Sequence, residues 1–182
     1  MKIFSRLEWL LRKLSYLGFL AASFLLLVVG LMGTADVIAT NLFYTPIPGM
    51  VELSGALLAV IVLLGLAEAQ ARGSHIVIDV ATSAMPPRIN KISALFSLAV
   101  GMMFMAIVAW QTSLLALKSL SYNETALGAL AFPLPPFKAL AAFGAWLSTA
   151  EFARQFILRL VTPAFAPVPP KTNDENKDVA DV

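Results

Sequence analysis

The chain has 182 residues, of which 59% are apolar and only 13% charged. A soluble domain carries roughly a quarter charged residues, so an ordinary water-soluble fold is excluded and a bilayer is the expected solvent. Cysteine is absent, which removes disulfides, thiolate metal sites and thiol nucleophiles, and the formal net charge of +2 is small.

The leader MKIFSRLEWLLRKLS places Ile3, Phe4, Leu7, Leu10, Leu11 and Leu14 on one helical face and Lys2, Arg6 and Lys13 opposite, with Glu8 and Arg12 at pairing distance i,i+4. That pattern predicts an amphipathic helix over 1–13 lying flat in the membrane interface. Lys2, Arg6, Arg12 and Lys13 are its lipid-headgroup candidates, each worth about 1 kcal/mol beside anionic lipid. Leu14 to Ala35 follow without a charge and are long enough to cross about 30 Å of hydrocarbon. The run is too long for the apolar region of a cleaved signal peptide.

The second crossing is shorter between charges, since Glu52 and Glu68 bracket Leu53 to Ala67. Pro46 and Pro48 can open a helix but would damage its interior, so the helix is expected to begin near Pro48 and run to about Arg72. Glu52 then sits in the first turn, against the positive end of the helix dipole. Ile92 to Leu117 provide a third uncharged run, with Trp110 as an interfacial aromatic anchor. The fourth crossing opens at Pro135 or Pro136 and reaches about Leu158, with Lys138 snorkelling from its first turn and Glu151 approaching the opposite face. The tail from Pro163 is proline-rich, then polar and acidic, and is expected to be disordered.

The reading is an all-α integral membrane protein with four transmembrane helices plus an N-terminal amphipathic interfacial helix. Its parts are a leader at 1–13, a membrane domain at 14–160 with spans at about 14–36, 48–71, 91–117 and 135–158, and a cytoplasmic tail at 161–182. Eleven of the thirteen lysines and arginines fall on the side of the termini and of the loop between spans two and three; only Lys118 and Lys138 fall opposite. Both termini are therefore expected to be cytoplasmic.

Chemistry is sparse. His75 is the single histidine, so bis-histidine haem ligation, an HExxH zinc site or a multi-histidine metal centre cannot be assembled. A serine triad would need His75, Asp79 and a serine in a geometry that no nucleophile elbow signals. No glycine-rich phosphate loop is present. The expectation is therefore no enzyme, no catalytic residue, no cofactor, no metal and no nucleic-acid partner. Asp36, Glu52, Glu68 and Glu151 all fall at expected helix ends, where water or headgroups can solvate them. None lies mid-span, and a proton-coupled exporter of the small multidrug type needs such a carboxylate where this chain has Ser23.

The stretch EAQARGSHIVID, from Glu68 to Asp79, concentrates charge at one membrane edge. Glu68 and Arg72 suit an ordinary i,i+4 pair with Gly73 ending the helix. The same ions also suit a polar belt that sets register on a partner subunit. Gly18/Ala22, Gly55/Ala59, Gly65/Ala69 and Gly144/Ser148 have the spacing that lets helices approach closely in lipid. Asn123-Glu124-Thr125 matches a glycosylation acceptor pattern but reads as ordinary loop.

In order, the leader, a first span, PIPGMVELSG opening the second, GLAEAQARGSHIVIDV at its end and MPPRINK before the third resemble the small permease subunit of the tripartite ATP-independent periplasmic (TRAP) transporters, the DctQ-like family. The likeness covers Met1 to Leu160 and is most specific at Pro48-Gly49 with Glu52, and at Arg72-Gly73 with His75-Ile76 and Asp79. ETALGALAFPLPPF before the last span is similar too, with Lys138 a departure. The resemblance implies a bacterial inner-membrane scaffold that braces a large permease subunit, while a periplasmic solute-binding protein delivers an organic anion. It makes Glu52, Glu68, Arg72, His75 and Asp79 the partner-interface candidates. An autonomous four-helix channel or exporter is the alternative, and a redox or quinone-binding subunit a third class. The substrate's determinants would lie in the other components.

Overall fold

The computed structural model describes residues 2–72, 87–126 and 130–161, whose regular structure is helical apart from an isolated bridge between Thr125 and Pro133. Four helices follow one another: α1 (Lys2–Phe43), α2 (Met50–Ala71), α3 (Pro87–Ser121) and α4 (Pro135–Val161). The expected tail, His75 and Asp79 lie outside the described residues, as does the side chain of Lys2.

The leader is not a separate interfacial helix. It continues into the first span as one helix of 42 residues, about 63 Å long at 1.5 Å per residue. The reason is local: no proline or glycine precedes Gly18, so nothing interrupts the hydrogen-bond ladder where amphipathic sequence gives way to apolar sequence. α4 begins at Pro135, one of the two prolines expected to open it, and α3 at Pro87, before the span expected from about 91; at both a missing N–H costs nothing. α3 runs on to Ser121, so the exposed Trp110 stands about three turns inside the helix end.

Segments Glu8–Phe43, Met50–Ala71 and Ile89–Ser121 are each long and apolar enough to cross a membrane. α4 differs because Lys138, Glu151, Arg154 and Arg159 interrupt its apolar sequence. Its position explains how it tolerates them. α4 packs on both α2 and α3 and also touches α1, while α2 packs on α1. The helix with the most polar sequence is thus the central one.

Close approach between α2 and α4 is set by Gly144: a Cβ there would lie 2.7 Å from the backbone of Leu63 and Leu64. One core cluster joins Ala22 of α1, Val60, Ile61 and Leu64 of α2, and Ala141 of α4; a second joins Met105 and Ala109 of α3 to Ala145 of α4. Gly18/Ala22 and Gly144/Ser148 therefore face other helices. Gly55 and Ala59 are exposed, and a Cβ on Gly55 or Gly65 would meet nothing within 4 Å.

The α1–α2 and α3–α4 connections meet at one end of the molecule. Gly49, at φ 77°, caps α2, and a Cβ on it would lie 2.7 Å from Cβ of Leu130. Ile47 donates its N–H to Asp36 Oδ1 at 2.7 Å, folding the first connection back on α1. α3 ends on Asn123, whose φ of 46° lets Glu124 N–H reach Ser119 C=O and Asn123 N–H reach Leu120 C=O. This paired closure is the left-handed C-terminal motif that asparagine tolerates better than most residues, and it gives the Asn123-Glu124-Thr125 triplet a backbone role.

Candidate functional site

At the opposite end, polar and charged side chains that α1, α2 and α4 carry separately come together. On α4, Glu151 and Arg154 are spaced i,i+3, and the guanidinium holds the carboxylate through two donors: Nε to Oε2 at 2.9 Å and Nη2 to Oε1. Its third donor, Nη1, reaches Glu8 Oε1 of α1 at 2.9 Å. Gln155 Nε2 adds bonds to Glu151 Oε1 at 3.0 Å and to the backbone oxygen of Gln70 in α2 at 2.6 Å. Gln70 Nε2 returns one to Gln155 Oε1 at 2.9 Å.

Glu151 is 0% exposed and Arg154 7%. A charge that deep is tolerable only when paired and hydrogen-bonded on its remaining sites, and the two-donor geometry meets that condition. The triad of Glu8, Glu151 and Arg154 carries formal charge −1. The triad joins α1 to α4, and the Gln70–Gln155 bonds add α2; removing Arg154 would leave Glu151 a buried, unpaired ion.

Two expectations change here. Glu151 is enclosed by protein and not solvated at a helix end. Among the described residues Glu8 pairs with Arg154 of α4 and not with Arg12. The residues missed as a site, Glu8, Gln70, Glu151, Arg154 and Gln155, had one local signal: a Glu-x-x-Arg-Gln cluster inside an otherwise apolar helix, which calls for a buried partner.

The predicted interface residues are not gathered in one place. Glu52 lies half-buried in the first turn of α2, at the loop end. Glu68 lies sixteen residues further along the same helix, about 24 Å away. There Glu68 is buried and accepts from Arg72 Nε at 2.9 Å, while the Arg72 side chain remains 55% exposed and its guanidinium lies 5.4 Å from the Phe19 ring centre. Of the leader cations, Arg6, Arg12 and Lys13 are exposed, and Lys13 sits 4.8 Å over the Trp9 ring. Among the described residues no group of three or more His, Asp or Glu is placed to hold a metal.

At the loop end the charge pair is of another kind. Lys138 does not snorkel freely outward; it pairs with Glu124 of the α3–α4 connection. The donated hydrogen bond from Lys138 holds the Glu124 carboxyl below its ordinary value.

The chain matches the family model of tripartite ATP-independent periplasmic transporters, DctQ component, over residues 29–162. It belongs to this family. As a DctQ component it is a small membrane subunit of a TRAP transporter, a system that also comprises a large membrane subunit and a periplasmic binding protein. The Gly49 cap, the Glu68–Arg72 pair and the Glu151–Arg154 pair all lie within the matched region, whereas Glu8 lies before it. A comparison with curated proteins gives no match.

Proposed function

We propose that this DctQ component is a non-catalytic scaffold, a rigid body against which the large permease subunit moves its transport domain while taking up an organic anion delivered by the periplasmic binding protein. The carrying observation is the buried Glu8–Arg154–Glu151 knot, which joins α1, α2 and α4 through α4 and the Gln70–Gln155 bonds. A stator needs such cross-helix fixation, and hydrogen-bonded buried polar groups supply it; in this network Gln70 Oε1 is buried without a partner.

In this reading all four helices cross the bacterial inner membrane with both termini cytoplasmic, as the Lys and Arg distribution favours. α4 crosses despite its charges because other helices shield them. The exposed apolar faces of α1 and α3, including Phe24, Leu27 and Leu31 on one and Phe96, Met103 and Phe104 on the other, meet lipid and the large subunit. Glu52 near the periplasmic face, and Glu68, Arg72, His75 and Asp79 near the cytoplasmic face, orient the chain on its partner. Lys2, Arg6, Arg12 and Lys13 rest the start of α1 against lipid headgroups.

The test is copurification and uptake with all three components present. Arg72→Glu reverses the exposed charge beside Glu68 and is expected to reduce recovery of the large subunit or transport; undiminished assembly and uptake would remove this docking assignment. Vesicles holding this chain alone are expected to accumulate no organic anion. Accumulation in them would favour an autonomous channel or exporter.

A further inference from the structure

Between the start of α1 and the end of α2 lies an open cavity of about 260 Å³, lined by Arg12, Tyr16, Glu68, Ala71 and Arg72. It is smaller than the roughly 300–1,000 Å³ that drug-sized ligands occupy. Arg12 and Tyr16 are spaced i,i+4 on α1, and Glu68 and Arg72 are spaced i,i+4 on α2, so each helix contributes a guanidinium. Glu68 is committed to Arg72 Nε, and Phe19 lies against the Arg72 guanidinium. Among the described residues Arg12 has no acidic partner; Glu8, its neighbour one turn back, is taken by Arg154. The cavity therefore carries a net positive charge with a phenol at its rim.

We propose that this cavity binds the phosphate of a phospholipid headgroup. Guanidinium groups match the planar, two-point geometry of phosphate oxygens, and a tyrosine hydroxyl adds a neutral donor. The cavity stands where α1 passes from its charged leader into apolar sequence, the depth at which headgroups lie. Exposed Leu20, one turn beyond Tyr16, and Leu27, about two turns further on the same side of the helix, offer acyl chains an apolar surface. A free phosphate ion would gain the charges and not that surface, which is why lipid is the favoured source. The site is built within this chain, but it rests on the proposed membrane placement and shares Glu68 and Arg72 with the proposed docking edge, so its test leaves those two residues unchanged.

The experiment is native mass spectrometry of the full-length chain, with phosphatidylglycerol, phosphatidylcholine and inorganic phosphate as the probes. Salt is kept high enough to screen charges that make no contact. One phosphatidylglycerol is expected to stay bound through detergent exchange and to resist an excess of inorganic phosphate. Arg12→Gln is expected to lower its affinity about tenfold, the loss of a charged hydrogen bond. Tyr16→Phe, which alters no charge and little packing, should lower it about threefold, and Arg159→Gln, an exposed cation at the same end but outside the lining, should leave it unchanged. Equal losses in Arg12→Gln and Arg159→Gln would overturn the proposal in favour of diffuse attraction. Displacement by inorganic phosphate would overturn the lipid source, and failure to retain any phospholipid would overturn the site.

Discussion

The two ends of the molecule solve the same problem, tying helices together, with opposite materials. At the loop end the ties are backbone: a left-handed glycine against Leu130, an asparagine closure of α3, an aspartate accepting from Ile47, and one ion pair, Lys138–Glu124, whose partners are partly exposed. At the ionic end the ties are side chains, and the central ones are enclosed: Glu151, Arg154 and Gln70 are buried, with Glu8 30% exposed as the way out. The contrast teaches that the enclosed ion pair sits on the most surrounded helix. α4 holds Glu151 and Arg154 inside the protein, while α1 and α3 keep their cations exposed or near their ends and carry apolar surface between.

If that contrast is right, the largest effect comes from the enclosed triad. Arg154→Met leaves Glu8 and Glu151 without their cation and should destabilise the chain by about 3–5 kcal/mol, read as unfolding in detergent or lipid. Combining it with Glu151→Gln should recover part of the loss, because the stranded buried charge is then gone. Equal loss in the single and double variants would show that the pair is not a coupled unit. Next is Gly144→Ala, which pushes a methyl into the α2 backbone and should cost about 1–3 kcal/mol, whereas Gly55→Ala on the open face should cost nothing measurable in the same assay. Gly49→Ala comes third: a side chain at φ 77° facing Leu130 should cost about 1–2 kcal/mol.

Lys138→Gln should give the smallest change, and it sharpens the contrast through pH. Because Lys138 lowers the folded-state value of Glu124, the pair's contribution is complete above the unfolded carboxylate value of 4.5. It is lost as pH falls below that through the lowered folded value. The wild type should therefore shed this increment on acidification, and Lys138→Gln should lack that part of the acid limb.

Helix existence was legible because apolar runs such as Ile92 to Leu117, and the start signal at Pro135, stand in the sequence itself. The length of α1 was not, since hydropathy reports what faces lipid, while the hydrogen-bond ladder continues through any residues that do not break it. Small-residue spacing pointed truly at Gly18 and Gly144 but equally at Gly55, because the pattern records the capacity for close approach without naming a neighbour. The Glu8–Arg154 bond joins residues 146 positions apart, a separation at which no periodicity operates, and the local i,i+4 match to Arg12 offered a plausible false partner. Glu151 was visible as a charge in an apolar helix; what it lacked in sequence was any sign that α4 would be the enclosed helix.

The long first helix is pinned twice, by Glu8 to α4 and by Asp36 to the connection that follows it, at points about 42 Å apart along its axis. Anchored so, its inclination is fixed from within the polypeptide. When the surrounding bilayer thins or thickens, this helix cannot lean by itself; the bundle must lean with it, or the lipids at its flank must stretch or compress.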